Sequence, residues 1–282
     1  MQPKEEFLIT NKFGESDLDI LKAFKKIKSD KNIKEITSRK PDWESENSFI
    51  LSIAKNYKTN NKKLFRKNHD SKDDLTNIWL SIVENKATSY FIEKGIKPFT
   101  GLHYDCLSDI AKLSHNVESL KKIDEILRKE YGIIILYEKS FKGLKLDGCA
   151  FNLPNNSPVI AMSLRYSRYD YFWFTLMHEL SHVSLHHDML STPIIDDLEN
   201  ESQVMTEIEA NRAASESLIP IEANRSLFRT KDEPQTLLAV CKKFSINPIV
   251  AAGAVRKKHN NYRIFSDLVN SINVRMELGF DD

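Results

Sequence analysis

Two histidines four positions apart flank a glutamate in the run His178-Glu179-Leu180-Ser181-His182. On a helix, residues four apart lie on one face, so both imidazoles can bind one metal ion. Glu179 follows the first histidine and lies near the rim of such a site. There its carboxylate can take a proton from a water molecule that attacks a carbonyl group. The run therefore predicts metal-assisted hydrolysis, with His178 and His182 as metal ligands and Glu179 as the general base.

The bare pattern arises by chance in roughly one sequence of this length and composition in sixty, so its surroundings matter. Residues 167–187 predict a long helix. At 100° per residue, the apolar side chains group on one side of this helix and the two histidines on another. An isolated pair of histidines would more often be ordinary core or surface residues. The amphipathic helix and the adjacent carboxylate favour a metal site.

A catalytic zinc ion usually takes three protein ligands, so a third is expected. On a straight helix His186 would lie about 12 Å along the axis from His178, which is too far for both to bind one ion. Glu207 and Glu209 lie on a later predicted helix, and spacing alone does not choose between them. Either could instead be a carboxylate that stabilises the start of that helix. Two histidines and one carboxylate favour zinc, although such a site binds several divalent metals.

Composition excludes several classes of protein. The chain has 41 Lys plus Arg against 40 Asp plus Glu, so its formal charge is only +1. Its three cysteines are scattered, which predicts neither a disulfide framework nor a cysteine zinc ribbon and favours a reducing cytosol. We find no signal peptide and no apolar run long enough to span a membrane, so we expect a cytoplasmic protein with no membrane partner. A basic run from Lys55 to Lys67 predicts either a solvated helix face or a contact with nucleic acid or an acidic partner.

The order of predicted elements indicates an α+β fold with three domains. Apolar residues recur at helical spacing between about residues 16 and 116, and Gly95, Pro98 and Gly101 then interrupt the pattern. Beyond a helix that ends at Gly132, three β-rich segments precede the helix of the histidines. We therefore expect three parts: a helical N-terminal domain of unknown role (1–105), a hydrolase core with a small antiparallel or mixed sheet (106–223) and a C-terminal helical subdomain (224–282).

Several motifs, in order along residues 106–260, make this region similar to the ImmA/IrrE metallopeptidases. The motifs are 146–151, 158–163, 168–182, 207–214 and 218–220. The resemblance implies a zincin-like fold and one zinc ion bound by His178, His182 and Glu209, with Glu179 as the general base. Glu209 is favoured over Glu207 because the family pattern places the ligand immediately before Ala210-Asn211.

By analogy, the resemblance implies cleavage of a helix-turn-helix transcriptional repressor or a related regulator in the cytoplasm. Residues 158–163 could hold an extended substrate by strand addition, or they could form an interior strand of the sheet. Many relatives carry a helix-turn-helix at the N-terminus, but residues 1–100 show no readable pattern for one. The role of this N-terminal region therefore stays open.

The sequence also permits a second class of function. A regulator of the toxin-antitoxin or phage-related type would use a structural zinc site and its helical ends to bind a partner or DNA. Residues 238–252 predict a helix, a tight turn and a second helix, with several basic residues beyond them. This segment either packs as a subdomain or contacts DNA.

Overall fold

The structure is a computed structural model that describes residues 15–64, 71–196, 204–230 and 232–280. By its internal contacts the chain divides into two compact units, Met1–Asn85 and Lys86–Asp282. The domain boundaries expected at residues 105 and 223 stay predictions. The basic run can be judged only in part, because the side chains from Lys58 to Lys67 lie outside the described part of the chain.

The described part of the first unit is helical, as the spacing of its apolar residues predicts. Its buried side chains include Ile27, Ile50, Ile53 and Trp79. The first helix packs against the third, and the second also contacts the third. The helices that begin in this unit are α1 (Glu15–Lys28), α2 (Ile33–Thr37), α3 (Glu46–Leu64) and α4 (Ser71–Lys94).

The second unit combines helices with a small sheet. Its helices are α5 (Tyr104–Lys112), α6 (Ile123–Tyr131), α7 (Tyr169–Leu185), α8 (Met205–Leu218), α9 (Ile221–Leu227), α10 (Pro234–Phe244), α11 (Pro248–Lys258), α12 (Ser266–Val269) and α13 (Val274–Glu277). Short 3₁₀ helices cover Leu113–His115, Val117–Lys121 and His187–Met189. The strands are β1 (Ile134–Tyr137), β2 (Gly148–Asn152), β3 (Pro158–Met162) and β4 (Ile194–Asp196). The predicted α+β fold class is confirmed.

Gly132 ends α6 and directs the chain into the sheet, as its sequence position predicts. Its φ of +73° is left-handed, a conformation that glycine adopts without the steric cost other residues incur. A Cβ at this position would lie 2.7 Å from the carbonyl oxygen of Lys97, so a larger residue would also clash with the backbone. The glycine therefore fixes where β1 begins.

The four strands form a mixed sheet in the order β1-β3-β2-β4. β3 is parallel to β1 and antiparallel to β2, while β2 is also antiparallel to β4. Both edges of β3 are therefore already paired, and all five of its residues are buried. The proposal that residues 158–163 receive a substrate by strand addition is wrong, because that mode of binding requires a free strand edge. These residues form the interior strand that was the alternative.

The C-terminal helices α10 and α11 follow the predicted helix, turn and helix. Ser245 adopts a left-handed conformation at the end of α10, and the Asn247 side chain caps α11 by accepting from the amides of Ile249 and Val250. α11 packs against α7 and buries Val255 among other residues, as the packing interpretation predicts.

No single described helix is long and apolar enough to cross a membrane. α10 and α11 meet that test only when taken together, across a bend of 119°.

Candidate metal centre

α7 is the central helix of the second unit. It packs against β2 and β3 on the sheet and against α5, α8 and α11. Thirteen of its seventeen residues are buried, so its polar side chains lie inside the protein. Apolar neighbours such as Phe172, Trp173 and Leu176 hold the helix in the core, and the histidine-bearing segment is positioned with them. The helix spans Tyr169–Leu185, which is close to the range of residues 167–187 predicted from the sequence.

The two histidines converge as their spacing predicts. Both side chains are fully buried, and their Nε2 atoms lie 3.1 Å apart. A carboxylate from α8 completes the group, with Glu207 oxygens 3.3 Å from His178 Nε2 and 3.4 Å from His182 Nε2. Among the described residues, these three side chains form a cluster whose ligand atoms all lie within 4.8 Å of one another.

The spacing within this cluster fits a tetrahedral metal ion. Ligand atoms bonded to zinc at about 2.0–2.1 Å are about 3.3 Å from one another in a tetrahedron. The two Nε2 atoms are 3.1 Å apart, and each lies at a similar distance from one Glu207 oxygen, His178 from Oε2 at 3.3 Å and His182 from Oε1 at 3.4 Å. Two imidazole nitrogens and a carboxylate oxygen are also a donor set that zinc accepts. His178, His182 and Glu207 therefore have the chemistry and the spacing of a metal centre.

Glu209, the third ligand expected from the resemblance, does not lie in this cluster. Its carboxylate is 3.0 Å from His186 Nε2, and its side chain is 52% exposed. The reason is the rotation of α8 about its axis. Residues two apart on a helix are rotated by about 200°, so their side chains point about 160° apart. Glu207 and Glu209 therefore cannot both face the imidazoles. In the structure the carboxylate beside the histidines is that of Glu207, so this cluster differs from the ligand set that the resemblance implies.

A signal in the sequence favours Glu207. The buried residues of α8 are Ala210, Ala213, Ala214 and Leu218. At 100° per residue, Glu207 lies about 45° from the middle of this buried face and Glu209 about 115° from it. The small alanines mark the side of α8 that approaches another element closely. A helical projection centred on them selects Glu207, whereas the position next to Ala210-Asn211 selects Glu209.

Glu179 is fully buried and lies against the first residue of β2. A Cβ built on Gly148 would lie 2.0 Å from Glu179 Oε1 and 2.8 Å from its Cδ, so the carboxylate fills the space that a side chain at 148 would need. It directly follows His178 along α7, and its role as a general base stays a prediction. The sequence analysis did not identify Gly148 as part of the site, although it lies within the motif at 146–151.

Basic residues just before α7 have structural partners. Arg168 donates from Nε to Asp170 Oδ1 at 3.0 Å and also pairs with the second carboxylate oxygen. Arg165 Nε lies 3.3 Å from Asp147 Oδ1. Burial raises the pKa of Tyr169 and of Tyr171 to about 12, so both phenols stay protonated at neutral pH. This end of α7 thus contains ion pairs, the buried phenol of Tyr169 and the half-buried phenol of Tyr171.

The class defined by this fold and this cluster is an α+β domain whose central helix carries a metal centre of two histidines and one glutamate. Comparison with protein families agrees, because residues 128–252 match the family model Peptidase_M78, IrrE N-terminal-like domain. This part of the chain is therefore similar to a metallopeptidase family. A search of curated proteins found no match to the chain.

Proposed function

We propose that this protein is a zinc-dependent endopeptidase that hydrolyses a protein substrate in the cytoplasm. The observation that carries the proposal is the convergence of His178, His182 and Glu207, with one ligand atom from each within 4.8 Å of the others. Glu179, which directly follows His178 in the sequence, is buried. The family match supports the same chemistry, since the whole cluster and Glu179 lie within residues 128–252.

Three residues of the proposed site would bind the metal ion, and a fourth would transfer protons. His178 and His182 would hold the ion through Nε2, and Glu207 through a carboxylate oxygen. A bound zinc ion acts as a Lewis acid that polarises the substrate carbonyl and makes water more acidic. Glu179 accepts the proton of the attacking water as the oxygen–carbon bond forms. It then delivers a proton to the leaving nitrogen as the peptide bond breaks.

The substrate we propose is a helix-turn-helix transcriptional repressor or a related regulatory protein. Support for this class comes from the resemblance to the ImmA/IrrE metallopeptidases. The regulatory alternative, in which the zinc site is structural and the protein binds a partner or DNA, predicts a different result in the same experiment.

The test compares wild type with Glu179→Gln, Glu207→Gln and the control Glu216→Gln, in cells whose new protein N-termini are labelled and sequenced. Glu216 lies on α8 like Glu207 but pairs with Arg212 at 2.7 Å, outside the cluster. We expect new N-termini with wild type and Glu216→Gln. Their yield should fall about 10²–10⁴-fold in Glu179→Gln, the typical contribution of a general base.

The zinc content of each purified protein separates the two roles. Glu179→Gln should retain zinc, because Glu179 is not in the cluster, whereas Glu207→Gln should lose most of it. Cleavage that is unchanged in a zinc-loaded Glu179→Gln protein would refute the mechanism. A biological function that survives Glu179→Gln but requires zinc would instead support the regulatory alternative.

A further inference from the structure

A chain of side-chain contacts leads from the proposed metal centre to the surface. His182 Nδ1 lies 3.1 Å from His186 Nδ1, on the side of the ring opposite the Nε2 that faces the cluster. His186 Nε2 in turn lies 3.0 Å from Glu209 Oε2. The chain therefore begins at a buried imidazole, passes through a second buried imidazole, and ends at a carboxylate that is 52% exposed.

The end of α7 places His186 in this chain. The helix stops at Leu185, and His186 has the non-helical angles φ −127° and ψ 22°. Its backbone N–H still donates to the carbonyl of His182 at 2.8 Å, which keeps the two residues together. His186 remains 7% exposed, so its ring packs inside the protein and beside His182.

Metal binding by His182 would determine where every proton in this chain resides. If Nε2 of His182 donates its lone pair to a metal, the proton of the neutral ring must be on Nδ1. That N–H can then only donate, so Nδ1 of His186 must be the acceptor. The proton of neutral His186 is consequently on Nε2, where it donates to the Glu209 carboxylate. Each of the two contacts thus has one donor and one acceptor, so a single assignment of protons satisfies His182, His186 and Glu209 together.

The geometry points to His186 and Glu209 as positioning residues that orient His182 for metal binding. This inference rests on the proposed metal centre and adds two residues outside the ligand set. A hydrogen bond to the distal nitrogen of a ligating histidine fixes both its tautomer and its ring orientation, and removing the partner typically weakens metal binding about 10- to 100-fold. Glu209 thereby has a role that differs from direct ligation.

The first experiment measures the zinc dissociation constant of the full chain by competition with a chromogenic chelator. His186→Phe keeps a ring but removes both nitrogens, and we expect zinc binding to weaken about 10- to 100-fold. His186→Asn offers a carbonyl oxygen near the position of Nδ1 and should recover much of this loss. Glu209→Ala should weaken binding less than His186→Phe does, because water can replace an exposed carboxylate.

His187→Phe is the matched control. His187 is the next residue, but its ring stacks on Phe99 with centroids 4.6 Å apart, and its Nε2 lies 3.3 Å from the carbonyl oxygen of Asn156. We expect this variant to bind zinc as wild type does. Thermal unfolding of each metal-free variant shows whether a loss of affinity is only a loss of folding.

A spectroscopic measurement tests the proton positions directly. Long-range ¹H–¹⁵N spectra of the zinc-loaded protein should show His182 protonated on Nδ1 and His186 protonated on Nε2. A His186 protonated on Nδ1 would overturn the inference, as would zinc affinity unchanged in both His186→Phe and Glu209→Ala. A wild-type protein that binds no zinc would refute the proposed function itself, so the two failures are distinguishable.

Discussion

The two ends of α7 each bury a carboxylate against a glycine from another element. Near the start of the helix, Asp170 is 7% exposed, and a Cβ on Gly253 of α11 would lie 2.2 Å from its Oδ2. In the second half, Glu179 is fully buried, and a Cβ on Gly148 of β2 would lie 2.0 Å from its Oε1. Both carboxylates therefore occupy space that only a glycine leaves open.

The surroundings of the two carboxylates differ. Asp170 pairs through both oxygens with the guanidinium of Arg168, which closes an ion pair at the helix start. Glu179 instead lies in the sequence between His178 and His182, whose Nε2 atoms converge with Glu207. The same packing arrangement thus supports a structural ion pair at one end and, in our proposal, a reacting group at the other. Substitutions at the two ends should separate stability from metal chemistry.

The largest effect on folding is expected from Asp170→Asn. Removing one partner of a buried ion pair typically costs 3–5 kcal/mol, and because Arg168 is 20% exposed we expect about 3 kcal/mol. Urea unfolding of the metal-free protein measures this loss. Zinc affinity of the folded protein should be unchanged. A large fall in zinc affinity with little change in unfolding would reverse the roles assigned to the two ends.

Gly148→Ala should alter the chemistry more than the fold. The added methyl group would displace the Glu179 carboxylate, and a misplaced base should slow hydrolysis by about 10- to 100-fold. Zinc binding should persist, because neither residue belongs to the His178, His182 and Glu207 cluster. The measurements are the yield of new N-termini and the zinc content of the same preparation.

Gly253→Ala is the counterpart at the other end of the helix. Here the methyl group would push against Asp170, and overpacking of this kind typically costs 1–3 kcal/mol. The folded fraction should cleave at the wild-type rate. If Gly253→Ala slows cleavage as much as Gly148→Ala does, the two glycines are not functionally distinct.

The smallest effect should come from Tyr169→Phe. The phenol donates to the carbonyl of Ser114 at 2.6 Å, a bond worth about 1 kcal/mol. Burial raises the folded-state pKa of Tyr169 from its ordinary value of 10.0 to about 12. Folding therefore favours the protonated phenol. The stability that comes from this raised pKa is fully present below pH 10 and is lost as the pH rises through 12.

The phenylalanine variant should accordingly unfold more easily at neutral pH but lose less stability between pH 10 and 12. Burial also raises the pKa of Tyr171 to about 12, so the variant should still lose part of this stability between pH 10 and 12. Chemical unfolding at a series of pH values measures both slopes. Identical slopes in the variant and wild type would show that Tyr169 does not contribute to alkaline destabilisation.

The sequence predicts best those features that depend on local geometry. His178 and His182 converge because a four-residue spacing on any helix brings them to one face, and Gly132 ends its helix because of its left-handed backbone. Arg168 and Asp170 are likewise close along the chain. These features require no knowledge of how distant elements pack.

Features that depend on packing between elements are harder to predict. The choice of Glu207 over Glu209 depends on how α8 is rotated against α7. The interior position of β3 depends on a strand order that its own residues do not encode. The contact between Gly148 and Glu179 joins a strand to a helix, and only the three-dimensional structure shows it.

The order of these elements along the chain also gives assembly a direction. A ribosome releases the chain from its N-terminus, and domains generally fold in that order. Gly148 and the two histidines therefore emerge before Glu207 and Glu209. Until α8 leaves the ribosome, the nascent chain contains only two of the three members of the cluster, the imidazoles of His178 and His182. Glu207 then provides the carboxylate of the cluster, and Glu209 provides the contact to His186. Because both residues lie on α8, the synthesis of this one helix completes the proposed centre.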